Sequence, residues 1–214
     1  MPLRTDHIIY IAPDLEGACD RIEALLGIRP VFGGQHPGGG THNALLALGN
    51  DAYLEVIAPD PAQPNPDRPR SFGLDKPGEF RLATWAVKAP QMATVVAAAR
   101  ARGYDPGEVV QGGRTRDDGL RLAWQSTKRP ESISGATPPG DWLVPFLIDW
   151  GDTPHPSGAA PAGGTLVSLH AEHPNPGTVQ AILRALDVDI EVREGPAIGL
   201  VAAIETANGR VELR

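Results

Sequence analysis

Two polar side chains set in apolar strand-like segments are the first candidates for chemistry in this sequence. His7 stands in Asp-His-Ile-Ile-Tyr-Ile-Ala (residues 6–12) and Glu55 in Tyr-Leu-Glu-Val-Ile-Ala (residues 53–58). Side chains alternate between the two faces of a strand. His7 should therefore share a face with Ile9 and Ile11, and Asp6 the opposite face with Ile8 and Tyr10. Tyr53, Glu55 and Ile57 should likewise point one way. A carboxylate in an apolar strand costs free energy unless it is paired, which makes Glu55 the more informative of the two. An imidazole and a carboxylate that converge can hold a borderline divalent ion or carry out acid–base work. They can also form a plain structural pair.

Between these strands lies Gly33-Gly34-Gln35-His36-Pro37-Gly38-Gly39-Gly40-Thr41-His42-Asn43, with five glycines and two histidines. Glycines let backbone approach a ligand. His36 and His42 add nitrogen donors, and Thr41 and Asn43 can hydrogen-bond a carbonyl or carboxylate. No Gly-Lys-Ser/Thr follows, so this is not a Walker loop. A strand rather than a helix comes next, which excludes a dinucleotide fingerprint. Farther on, Trp85, Trp124, Trp142, Phe146 and Trp150 can supply either core or the wall of an apolar pocket. One of Arg114, Arg116, Lys128 and Arg129 can neutralise a substrate carboxylate. His155, His170 and His173 fall at linker or strand ends, and His173, before Pro174, is expected to be exposed. Cys19 is expected to be a small buried residue. No nucleophile elbow or Ser-His-Asp order is present.

The elements that must position these residues recur three times in the order β-α-β-β-β. In the first, Asp14 caps a helix with Leu15, Ala18, Cys19, Ile22, Leu25 and Leu26 on one face, and Gly27 stops it. Strands near 30–32, 44–48 and 52–58 follow. In the second, 82–89 is a strand and 91–102 a helix closed by Gly103, with strands at 109–110, 120–126 and 143–150. In the third, 165–170 is a strand and 178–186 a helix, followed by 189–192, 198–204 and 210–213. Pro13, Pro90 and Pro174 take the same place in each. This gives an α+β chain with a two-unit region, 1–151 (units 3–58 and 80–150), and a third unit over 164–214. Residues 59–69 read as an extended, semi-rigid linker and 152–164 as a flexible one.

The 214 residues carry 26 acidic and 19 basic side chains, a net charge of −7. With no basic stripe, nucleic-acid binding is not expected. The single cysteine excludes an internal disulfide. No apolar run spans a membrane, and the N-terminus lacks a signal-peptide core, so a cytoplasmic protein without a membrane partner is expected.

The first strand, the glycine-rich segment and the fourth strand together resemble the vicinal oxygen chelate superfamily, in its glyoxalase-like group. The resemblance covers roughly residues 3–150. It implies a curved mixed sheet of paired βαβββ units cupping a divalent metal (Zn, Fe, Mn, Ni or Co) or a small ligand. His7 and Glu55 match the family's ligand positions, with His42 or His36 as a further ligand. Thr84 takes the place of His7 in the second unit, where Asp149 is the acidic residue near the end of the fourth strand. Ser168 and Glu212 stand for His7 and Glu55 in the third. The implied activity is a metal-dependent isomerase, lyase or dioxygenase acting on a small molecule. Glu55 and His7 would be catalytic, and His36, Thr41, Asn43, Trp85 and Trp124 would contact substrate. The alternative is a metal-free binding or sequestering protein. A third unit without a partner in its own chain suggests a C2 homodimer.

Overall fold

The computed structural model describes residues 2–76, 78, 80–115, 119–128 and 140–214. Arg116 and Arg129 lie outside the described residues. The first unit is β1 (Thr5–Ile11), α1 (Leu15–Leu26), β2 (Val31–His36), β3 (Thr41–Ala47) and β4 (Tyr53–Pro59). The second is β5 (Arg81–Lys88), α2 (Met92–Ala101), β6 (Glu108–Thr115), β7 (Arg121–Lys128) and β8 (Phe146–Asp149). The remainder is β9 (Thr165–His173), α3 (Pro176–Ala185), β10 (Glu191–Glu194), β11 (Gly199–Thr206) and β12 (Gly209–Leu213).

Local chemistry accounts for α1. The Asp14 side chain accepts the Gly17 N–H at 2.6 Å, and Gly27 takes the left-handed conformation (φ 82°) that ends the helix. Ala18, Cys19, Ile22 and Leu26 form its buried face.

The first two units build one eight-stranded sheet, in the order β2-β3-β4-β1-β5-β8-β7-β6. Within each unit the first strand runs parallel to the last, β1 with β4 and β5 with β8. The two halves meet antiparallel at β1 and β5. β1 and β5 are covered on both faces, which is why they read as nearly continuous apolar runs. The sheet is mixed and strongly curved, so its two edges approach each other. The Arg114 guanidinium of β6 lies where a side chain on Gly34 of β2 would have to stand, and Gly34 has φ 137°. A residue with a Cβ would displace the guanidinium and strain the backbone at this φ.

Residues 165–214 keep the element order of the first two units but not their pairing. Their four-stranded sheet runs β10-β9-β11-β12, with β9 parallel to β10 and antiparallel to β11. β12 is an edge strand two places from β9, so Glu212 does not stand to Ser168 as Glu55 does to His7. The apolar side of this sheet is not left without a partner. Leu169, Ala171, Val179, Leu183, Leu200 and Ile204 join the same core as Ile8, Leu54 and Trp85 on the convex side of the large sheet. That removes the premise from which a dimer through the third unit was expected. The segment 152–164, read as flexible, is tied down: Ala47 N–H donates to Pro161 O at 2.8 Å and Gly163 N–H to Ala47 O at 2.9 Å. Residues 59–69 form turns rather than an extended rod. Asp60 accepts from Ala62 N–H and Gln63, and Gln63 in turn accepts from Gly38 N–H. No helix of the described residues is long and apolar enough to cross a membrane.

Candidate functional site

The concave side of the large sheet encloses a cavity of about 390 Å³. That is the size of a small organic ligand. His7 and Ile9 reach it from β1, Thr41, Asn43 and Leu45 from β3, Glu55 and Ile57 from β4, and Thr84 from β5. The second unit adds Trp124, Phe146 and Trp150, and the folded-back 59–76 segment adds Arg68, Ser71 and Phe72.

His7 is almost wholly buried and stacks on Tyr53 at 4.6 Å between ring centroids. Its Nδ1 lies 2.6 Å from Asp6 Oδ1, and its Nε2 faces Glu55 Oε2 at 3.6 Å. Strict alternation should send Asp6 to the other face. A bulge prevents this: Thr5 pairs with Val87 and His7 with Ala86, so Asp6 is an extra residue opposite one step of β5. Asp6 thereby reaches His7, Trp150 and His155 together. Its Oδ1 accepts the Trp150 indole N–H at 3.3 Å, and His155 Nε2 is 3.0 Å from Oδ2. Burial alone would push this carboxyl up. The hydrogen bonds and charges of His155 and His7 outweigh it and hold the group well below the usual carboxylate range.

Glu55 is anchored on its other side, where Asn43 Nδ2 donates to Oε1 at 2.6 Å. The same amide lies 3.3 Å from His36 Nε2, and His36 Nδ1 is 2.8 Å from Thr41 Oγ1. An amide nitrogen can only donate, so His36 Nε2 accepts and its Nδ1–H donates to Thr41. Burial keeps His36 below the ordinary histidine value despite the nearby Glu55 carboxylate. Burial likewise raises the Tyr53 phenol well above its usual value, with Glu55 and Asp6 adding to the effect.

His36, Thr41, Asn43 and Trp124 therefore share the cavity with His7 and Glu55, whereas Trp85 and His42 do not. Trp85 faces the convex side, is fully buried in the core and donates its indole N–H to Leu143 O at 2.7 Å. His42 alternates with Thr41 and Asn43, so it points to the other face of β3. There it lies edge-on to Phe32 and 4.0 Å from Asp60. His173 is not exposed as expected: its ring is largely covered and pairs with Asp141 at 2.9 Å. Cys19 is buried, as expected.

The donor set bears directly on a divalent metal. A carboxylate behind an imidazole is what a histidine ligand usually has, and His7 Nε2 and Glu55 Oε2 could share an ion. A resident site needs at least one more protein donor. Thr84 stands on the facing strand and His42 points away; His36 Nε2 lies 3.7 Å from Glu55 Oε1, but its lone pair is engaged by the Asn43 amide at 3.3 Å. Among the described residues no group of three His, Cys, Asp or Glu side chains is placed to hold a metal ion. The described residues do not complete a metal site.

The glyoxalase-like domain family matches residues 5–186, most of the chain. The chain belongs to the glyoxalase-like domain family, and so to the vicinal oxygen chelate superfamily. The match takes in β9 and α3 and ends before β10, so the family's pattern reaches into the second sheet. Among solved structures, a hypothetical protein from Staphylococcus aureus is similar over 99% of both chains, with 12% identity and a TM-score of 0.69. That likeness shows the fold over the whole chain, including the second sheet. A methylmalonyl-CoA epimerase complexed with methylmalonyl-CoA and NH4+ aligns over 73% of this chain and 100% of its own, at 17% identity and TM-score 0.44. The methylmalonyl-CoA epimerase from Mycobacterium tuberculosis aligns over 69% of this chain and 87% of its own, at 20% identity and TM-score 0.40. No curated protein matches the sequence.

Sequence reasoning misses Asp6 and His155 at the site, and Arg68 and Phe72 from the folded-back 59–76 segment. Strict alternation puts Asp6 on the other face, and the bulge that brings it to the site leaves little trace in sequence. His155 stands in a segment that composition reads as flexible, and nothing in the local sequence shows that Ala47 pins it.

Proposed function

We propose that this protein is an enzyme that moves a proton on a small carboxylate with an apolar or aromatic body, in a lyase or isomerase reaction. The observation that carries this reading is the alignment Asp6–His7···Glu55 at the wall of a cavity lined by aromatic rings. Asp6 holds the His7 proton on Nδ1, which leaves Nε2 to accept or deliver a proton on the cavity side. Glu55 Oε2 stands 3.6 Å away. The gap is too long for a direct hydrogen bond, but it suits a substrate O–H or acidic C–H held by both groups. Asn43 fixes the Glu55 carboxylate so that Oε2 is the oxygen that turns to substrate.

Charge and shape suggest the substrate class. Arg68, Arg114 and Lys128 line the cavity. Burial, with Arg68 adding to it, lowers the Lys128 pKa, as expected for a cation held close to another in partly dry surroundings. An anionic group satisfies this side of the cavity. Trp124, Trp150 and Phe146 add flat apolar area to the lining. Gly112 supports this wall, because any side chain there would collide with the Trp124 ring. Dioxygenase chemistry would need a resident metal, for which the donor set falls short.

The test is a panel of carboxylates bearing an acidic C–H beside a carbonyl, screened for solvent deuterium incorporation by proton NMR. Wild type is expected to exchange at least one member, and Glu55→Gln to bind it without exchange. Binding by both proteins with exchange by neither would make the chain a sequestering protein instead.

A further inference from the structure

We propose that His155, from the segment that joins the two sheets, is a positioning residue that sets the proton of His7 through Asp6. The inference rests on the reading above only in so far as His7 Nε2 is taken to work on substrate.

The chain of reasoning starts at a backbone amide. Ser157 N–H points at His155 Nδ1 at 3.4 Å, in the first turn of the short helix Pro156–Gly158. A backbone N–H can only donate, so Nδ1 holds a lone pair. The Ser157 hydroxyl, 2.7 Å from the same nitrogen, can donate as well. The neutral ring therefore carries its proton on Nε2, which donates to Asp6 Oδ2 at 3.0 Å. The Trp150 indole, which also can only donate, points at Oδ1. Asp6 is fully buried and faces these two donors, with no group among them to receive a proton from it. It stays an anion and must accept at His7 as well. The His7 proton is thus placed on Nδ1, and Nε2 is left bare toward Glu55.

The placement of His155 is not incidental. Its ring lies edge-on to Tyr53 and Trp150, at 5.5 and 6.0 Å between centroids, so it is held from two sides. Pro156, next to it, lines the cavity. The linker that follows is fixed by the Ala47–Pro161 hydrogen bond. The connection to the second sheet therefore completes the rear of the site.

The experiment uses the full chain labelled with 15N-histidine, without ligand, and long-range proton–nitrogen correlation at neutral to slightly alkaline pH. The chain has six histidines, and single His→Gln variants assign them. In wild type His155 should show its proton on Nε2 and His7 on Nδ1. In His155→Leu the Asp6 carboxylate, no longer held at Oδ2, is free to turn away from His7, and the His7 nitrogens should move toward the averaged values of a mixed tautomer. In His155→Gln, whose amide can still donate to Asp6, they should return to the wild-type pattern. Turnover of any substrate found should fall about 10-fold in kcat with KM little changed in the leucine variant, and recover in the glutamine variant. A wild-type spectrum with the His155 proton on Nδ1 overturns the proposal, whether or not the variants fold. So does an unchanged His7 pattern in a folded His155→Leu protein. If the His7 pattern responds as described but no carboxylate is turned over, His155 keeps its positioning role and only the acid–base reading fails.

Discussion

Asp6 and His7 are consecutive in β1, yet their side chains meet, with Asp6 Oδ1 2.6 Å from His7 Nδ1. The bulge at Asp6 makes this possible and turns a strand-end histidine into one arm of an oriented pair. Replacing Asp6 by Asn keeps the shape but lets the amide donate to His7, which favours the proton on the wrong nitrogen. Proton-transfer activity should fall by about 10²–10⁴-fold, the range seen when a base loses its tautomer. Circular dichroism should show the fold retained.

The depressed Asp6 pKa also has a stability consequence. The group binds its proton more weakly in the folded chain than at its unfolded value of 3.8. Its contribution is therefore fully present above that value and is lost as pH falls from about 4 through the folded pKa. Denaturant melts from pH 6 down to pH 2 should show wild type losing stability more steeply below pH 4 than Asp6→Asn.

The tryptophans should separate by role. Trp85 is buried on the convex side with its indole hydrogen-bonded, so Trp85→Ala should cost about 3–5 kcal/mol. Trp124 is partly exposed at the cavity wall. Trp124→Ala should cost roughly 1 kcal/mol or less in stability and weaken carboxylate binding. Chemical denaturation and isothermal titration together read both effects.

The seam between β2 and β6 should be sensitive to one methyl group. Gly34→Ala places a Cβ against the Arg114 guanidinium at a φ of 137°. Strain of this kind costs about 1–3 kcal/mol. The variant should melt lower and bind carboxylates more weakly than wild type, and Gly199→Ala, where an added Cβ meets nothing within 4 Å, serves as the control.

Much of this fold can be read from the residues, and the exceptions have physical causes. The run Ile8–Ile11 and the bounds of α1 are local signals: an apolar strand, an Asp cap and a left-handed glycine. The convergence of His7 and Glu55 on one wall follows from strand alternation, since β1 and β4 pair in parallel with Ile9 opposite Glu55. The bulge at Asp6 does not follow, because it is set by how β1 meets β5. Nor does the pairing of β9 with β10 and β11, because the same element order allows either neighbour. His42 and Trp85 were expected at the site for their chemistry, but alternation on β3 and β5 turns both to the other face. His155 enters the site only through long-range contacts that no spacing records.

The central claim is that Glu55 and His7 exchange a proton with a bound carboxylate without a resident metal. The most direct measurement follows deuterium uptake into such a ligand by wild type, Glu55→Gln and His7→Gln, each desalted against chelator, with metal content read in parallel. Uptake by chelator-treated wild type, slowed at least about 10²-fold in both variants while binding persists, is the expected result. Uptake that disappears with one tightly held divalent ion per chain and returns when the ion is restored would contradict it.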